Sequence, residues 1–203
     1  RQHSNGIPFR DQAVLSRNHA TLGRLATILE REGIPILYLG DLFERPEIRD
    51  MLALISLAAG DIIGLLRVAN FPEYHIPLQD VYSVIEYSNE NDVYLYDALS
   101  KFMDQMQVSE QGKVGLNLLK LHLQEVIYSN NVWLFLTNYL FVQGKYLQPL
   151  LTDSSINAQQ KKLAIYQFLR FANEQSQLDI NSQDSRKRFL AYIRHLEIFG
   201  EEK

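Results

Sequence analysis

Two spacings of apolar residues alternate early in the chain, and only one of them continues. Residues 12–16 and the run Ile34-Pro-Ile-Leu-Tyr-Leu39 are short apolar stretches with polar or turn-forming flanks, which predicts two strands. Between them Leu22, Leu25, Ala26 and Leu29 share one face of a helix over 18–32, and Gly33 stands where that helix would close. A β–α–β unit of this size implies two parallel strands joined by a right-handed crossover. Parallel sheets are normally covered on both faces and extended by neighbours. The unit therefore reads as a small piece of an incomplete parallel α/β sheet.

From Pro46 onward the period is helical. The spacing predicts helices over 46–59, 61–70, 77–88, 93–107, 112–128, 132–143, 158–176 and 184–199. The first carries Ile48, Met51, Leu52, Ile55 and Ala59 on one face, Pro46 in its first turn, and Gly60 as its stop. Asn157-Ala-Gln-Gln160 resembles a capping box ahead of the stripe Ile165, Phe168, Leu169 and Ala172. Ser182 is a candidate cap for the last helix, whose apolar face is Phe189, Tyr192, Ile193 and Leu196. Polar breaks at 89–92 and 152–155 read as loops. The expected fold is mainly α, with a partial α/β segment at 1–45 and a helical domain at 46–203.

Composition narrows the partners. With 203 residues, 46% of them hydrophobic, the chain has enough apolar side chain for a sizeable core. No apolar run approaches the roughly 20 residues a membrane helix needs, so no membrane partner is expected. Cysteine is absent, which excludes disulfides and thiolate metal sites and fits a cytoplasmic location. The net charge of −4 does not indicate a strongly basic, nucleic-acid-coating surface, so any DNA contact must come from a local cluster inside an acidic whole.

Most candidate chemistry is thin. Histidines at 3, 19, 75, 122 and 195 lack ligand spacing, so no metal site is expected, and His122 lies inside an amphipathic helix where a structural role fits best. No nucleophile elbow surrounds any serine, and no G-x-x-x-x-G-K-[ST] loop is present. The aromatic run Tyr128 to Tyr146 suits a helical core better than a base-stacking surface. Arg186, Lys187 and Arg188, with Arg194, form the most basic cluster; it is either a phosphate contact or a solvated first turn. Arg17, at the end of the first expected strand, is either a surface arginine or a ligand contact at the sheet's carboxyl edge.

Two segments carry a family resemblance. Gly40, Phe43-Glu44-Arg45 and Glu47-Ile48-Arg49-Asp50, followed by an apolar helix, resemble the segment by which UvrD/Rep-type superfamily 1 DNA helicases pass from motor subdomain 2A into the inserted helical subdomain 2B. Ala13-Val14-Leu15-Ser16-Arg17-Asn18 resembles the motif IV of that family. The resemblance implies a fragment of an ATP-dependent DNA helicase acting in repair or recombination. It also implies that Arg17 reaches the γ-phosphate of ATP, with ATP and Mg bound by the full-length protein and not by this fragment alone. A guanidinium suits that task because it can bond two phosphate oxygens while charge develops.

The stretch Arg67-Val-Ala-Asn70-Phe-Pro72-Glu-Tyr74-His75-Ile-Pro77 resembles the 2B segment that approaches duplex phosphates. Arg67, Asn70, Tyr74 and His75, with Arg186, Lys187 and Arg188, are the DNA contacts this resemblance and the local charge suggest. The implied partners are a DNA single strand and duplex junction, the remaining helicase subdomains, and a repair protein. Departures accompany the match. Ser16 stands where the family often has an adenine-stacking aromatic, Leu22 and Gly23 interrupt the usual continuation, and Tyr74, His75 and Pro77 replace a basic residue and glycines. These losses leave open a helical interaction module that recruits a repair partner without touching DNA.

Overall fold

A computed structural model describes residues 7–8, 12–34, 42–101, 103–126, 131–178 and 185–201. Ten α-helices are present among them: α1 (His19–Arg31), α2 (Pro46–Ala58), α3 (Leu65–Val68), α4 (Leu78–Asn91), α5 (Leu95–Lys101), α6 (Glu110–Val126), α7 (Val132–Asn138), α8 (Gln148–Thr152), α9 (Ile156–Leu178) and α10 (Ser185–Glu201). The architecture is mainly helical, as the spacing predicts.

Helix α2 is the axis of the fold. It packs against α3, α7, α9 and α10 and against the short 3-10 turns on either side of it. Ile48, Met51, Leu54 and Ile55 are fully buried, and Leu57 is 5% exposed. The amphipathic pattern identified Ile48, Met51, Leu52 and Ile55 correctly. It missed Leu54 and Leu57 because partners approach this helix from more than one side, which a single stripe does not encode. Around α2 the core is built from Phe135, Leu136 and Tyr139, from Ile165, Phe168, Leu169 and Ala172 of α9, and from Phe189 and Ile193 of α10. Edge-to-face contacts of Phe43 and Phe189 with Phe168 tie the entry of α2 to α9 and α10.

Two glycines close helices as their positions suggest. Gly33 at φ +68° and Gly60 at φ +94° adopt the left-handed conformation that glycine tolerates. The next residues then reach back, Ile34 N–H to the Leu29 carbonyl at 2.9 Å and Asp61 N–H to that of Ser56 at 3.0 Å.

Several expectations need correction. Residues 12–16 form no strand, and the second expected strand at 34–39 lies almost wholly outside the described residues. A strand's backbone groups must pair with a neighbour, and none is available among the described residues. The capping box assigned to Asn157 is displaced: α9 begins at Ile156, and Ser155 is the cap, its Oγ accepting from Ala158 N–H at 3.2 Å. The helix expected over 61–70 is divided into a 3-10 turn and α3, and that over 93–107 into α5 and a turn at Met103–Gln105. The helix expected over 132–143 changes after Asn138 to a π-turn at Tyr139–Gln143, closed by Gly144 N–H on the Tyr139 carbonyl at 2.7 Å. The candidate cap Ser182 lies outside the described residues.

Candidate nucleic-acid interface

Two ion pairs stand at the start of α2. Arg45, the N-cap of α2, holds Glu47 at 2.5 Å, and Arg49 holds Glu44 at 2.5 Å. Glu47 is 2% exposed, so its pairing offsets the desolvation of a carboxylate. Asp50 is half-buried and pairs elsewhere. Its Oδ1 accepts from Arg67 Nε at 2.5 Å and its Oδ2 from the Tyr146 hydroxyl at 2.5 Å. Arg67 also donates from Nη2 to the Pro46 carbonyl at 2.9 Å. Burial and the Asp50 bond push the Tyr146 phenol well above the ordinary tyrosine range, so it stays a hydroxyl donor.

The 67–77 segment follows from this anchor. Asn70 donates its amide to the Leu66 carbonyl at 3.0 Å and remains exposed. His75 is exposed and adopts φ +46°, a left-handed conformation. The segment thus keeps the backbone shape that a glycine would favour while carrying an imidazole. Pro77 is the N-cap of α4.

Tyr74 is placed inside, at 4% exposure, where its hydroxyl lies 3.0 Å from His122 Nδ1 and 2.6 Å from the Tyr139 hydroxyl. Tyr139 in turn donates to Glu73 Oε1 at 3.1 Å. With Glu73 as a carboxylate, only one direction satisfies all three links. Tyr139 gives its proton to Glu73, Tyr74 gives its own to Tyr139, and His122 must donate from Nδ1 to Tyr74. Burial pushes the His122 pKa down and both phenols up, which keeps the imidazole neutral and the hydroxyls protonated. Tyr74 therefore presents no phenol to an outside partner; the network fastens the segment to α6 and the π-turn.

The basic cluster on α10 divides. Arg186 is drawn inward, donating from Nη1 to the Ala58 carbonyl at 2.9 Å at the end of α2 and standing 5.8 Å above the Phe135 ring. A cation there satisfies a carbonyl left over at the helix end. Lys187, Arg188 and Arg194 are exposed. Arg17 is exposed too, on the segment that bears Val14 and Leu15 at 60% and 93% exposure.

Sequence reasoning missed Asp50, Glu73 and Tyr146 as members of these sites. Asp50 lies within a quoted motif, but its partner Tyr146 is 96 positions away and no local pattern links them. Among the described residues no group of three or more acidic or histidine side chains is arranged to hold a metal, and no helix is long and apolar enough to cross a membrane.

A profile of the UvrD-like helicase C-terminal domain matches residues 1–199. The chain belongs to the UvrD-like helicase C-terminal domain family. A 101-residue stretch, 48% of this chain, is 29% identical to the ATP-dependent DNA helicase PcrA of Staphylococcus aureus (strain Mu50). A stretch of the same length is 28% identical to PcrA of Staphylococcus epidermidis (strain ATCC 12228). In both cases the match spans 14% of the relative's length. Within this UvrD-like domain the ion-paired start of α2 and the anchored 67–77 segment are the sites the family resemblance singled out.

Proposed function

We propose that this UvrD-like domain serves an ATP-dependent DNA helicase, with Arg17 sensing nucleotide and the helical region contacting DNA beside the unwinding junction. The family match over residues 1–199 carries the reading. The exposed arginine supports it, because Arg17 stands on a segment whose apolar side chains, Val14 and Leu15, are left uncovered as those of a strand lacking its sheet would be. The groups that an ATP·Mg site needs are represented here by a single guanidinium. Without a G-x-x-x-x-G-K-[ST] loop these residues do not make such a site by themselves, and no hydrolytic step is assigned to them. The role of Arg17 is to couple nucleotide state to the position of this domain.

The DNA-facing residues are Lys187 and Arg188, with His75 and Asn70 on the exposed 67–77 segment. Arg67 adds charge from a fixed position, while Tyr74 and Arg186 hold the framework. A second reading, a module that docks a repair protein, draws on the apolar side chains displayed by α6 and the π-turn. Val114 and Leu121 are 72% and 57% exposed, and Phe141 and Val142 are 65% and 71% exposed. In the intact helicase Arg17→Ala is expected to lower ATP turnover by about 10²-fold or more while DNA affinity is kept. Unchanged turnover would remove the assigned role.

A further inference from the structure

A cleft of about 420 Å³ opens between the 67–72 segment, α8 and the start of α9. Its size is that of a small-molecule site, enough for one planar group with its substituents and too small for a duplex. One side carries Arg67, Asn70 and Pro72, the other Tyr146, Pro149, Leu150 and Lys161. Asp50 lies at the base, but both of its oxygens are occupied, one by Arg67 and one by Tyr146. The carboxylate therefore links the two walls, with its charge balanced by Arg67. Arg67 spends Nε and Nη2 on Asp50 and Pro46, which leaves Nη1 directed to other uses. Lys161 brings a second cation, so Arg67, Lys161 and Asp50 together leave the cleft one net positive charge.

We propose that this cleft holds a single nucleotide unit of an unpaired DNA strand, an assignment that rests on the reading of the chain as part of a DNA helicase. The phosphate lies between Arg67 Nη1 and Lys161. The base packs on the flat apolar surfaces of Pro72, Pro149 and Leu150 beside the Tyr146 ring, where any base can pack because each has an apolar face. The exposed Asn70 amide, which can both donate and accept, lines the same cleft and meets the base edge. The cleft thus takes a strand end or an extruded nucleotide at the junction, distinct from the surface bearing Lys187 and Arg188.

The test titrates the 203-residue chain with a short labelled single strand, a duplex of the same sequence, deoxyadenosine monophosphate and inorganic phosphate. Lys161→Glu is expected to weaken single-strand and mononucleotide binding about tenfold or more, equivalent to at least 1.4 kcal/mol, with the melting temperature unchanged. Asn70→Ala is expected to weaken the mononucleotide and leave inorganic phosphate unaffected. Charge reversal at Lys187 and Arg188 should weaken the duplex and spare the mononucleotide. Binding of the mononucleotide no tighter than phosphate overturns the base contact, and indifference to Lys161→Glu overturns the cleft. Duplex binding with no single-strand binding would overturn this inference alone, because the helicase reading and its Arg17 test would stand.

Discussion

Residues 12–34 and residues 42–201 were both read from apolar periodicity, yet they behave differently. The helical region buries a continuous core that runs from Ile48 to Ile193, with Leu42 and Phe43 packed on it. Among the described side chains of the earlier segment only Ala26 is buried, at 8% and outside that core, while Val14, Leu15 and Ile28 are 60%, 93% and 57% exposed. A helix satisfies its own backbone and needs a partner only for one face. A strand needs a neighbour for every second backbone group. The same strength of pattern therefore yields ordered helices, α1 among them, and leaves residues 12–16 an uncovered apolar segment.

The comparison is sharpened first by truncating large side chains. Phe168→Ala, at a fully buried site touched by Phe43 and Phe189, is expected to cost about 3–5 kcal/mol in urea unfolding. Leu15→Ala should change stability by less than about 0.5 kcal/mol. Equal costs would mean that the early segment is packed after all.

A polar fastening comes next. Asp80 is 4% exposed and accepts from Ser109 N–H at 3.0 Å and from its hydroxyl at 2.5 Å, while Ser109 Oγ accepts from Gly112 N–H at 3.1 Å. Asp80→Ala should cost about 1–3 kcal/mol by leaving the first turn of α6 unsatisfied, read as a lower denaturation midpoint at unchanged slope.

The buried Tyr74–His122–Tyr139 chain predicts a pH dependence. The folded protein holds the His122 pKa below its unfolded value, so the unfolded state binds more protons as the pH falls. The contribution is fully present above the unfolded value of about 6.5 and is lost as the pH drops toward the folded value. His122→Gln should flatten this part of the stability–pH curve; an unaltered curve would assign the dependence to other groups. A small effect is expected at His75, where His75→Gly relieves a left-handed conformation and should alter thermal stability by less than about 1 kcal/mol.

What was legible in the sequence follows the same division. The α2 and α9 stripes, the Gly33 and Gly60 closures and the structural role of His122 were readable because each rests on contacts within a few residues or on a periodic face. The α10 cluster was readable as charge but not as geometry, since nothing local shows Arg186 turning inward to the Ala58 carbonyl. Tyr74 was placed with the DNA contacts by its position in a resembling segment, whereas its partners His122 and Tyr139 lie 48 and 65 residues away. The strand at 12–16 failed because periodicity states which face is apolar and leaves the neighbour unspecified. The short helix α8 was passed over because five residues carry too little periodicity to register.

Amide hydrogen exchange on the 203-residue chain tests the contrast most directly. The account predicts slow exchange through α2, α7 and α9, approaching the global unfolding limit, and fast exchange at residues 13–16, which form no strand and whose amides have no strand partner among the described residues. Protection of residues 13–16 comparable to that of α2 would contradict it, because those amides would then be paired within this chain and Arg17 would not stand on an uncovered segment.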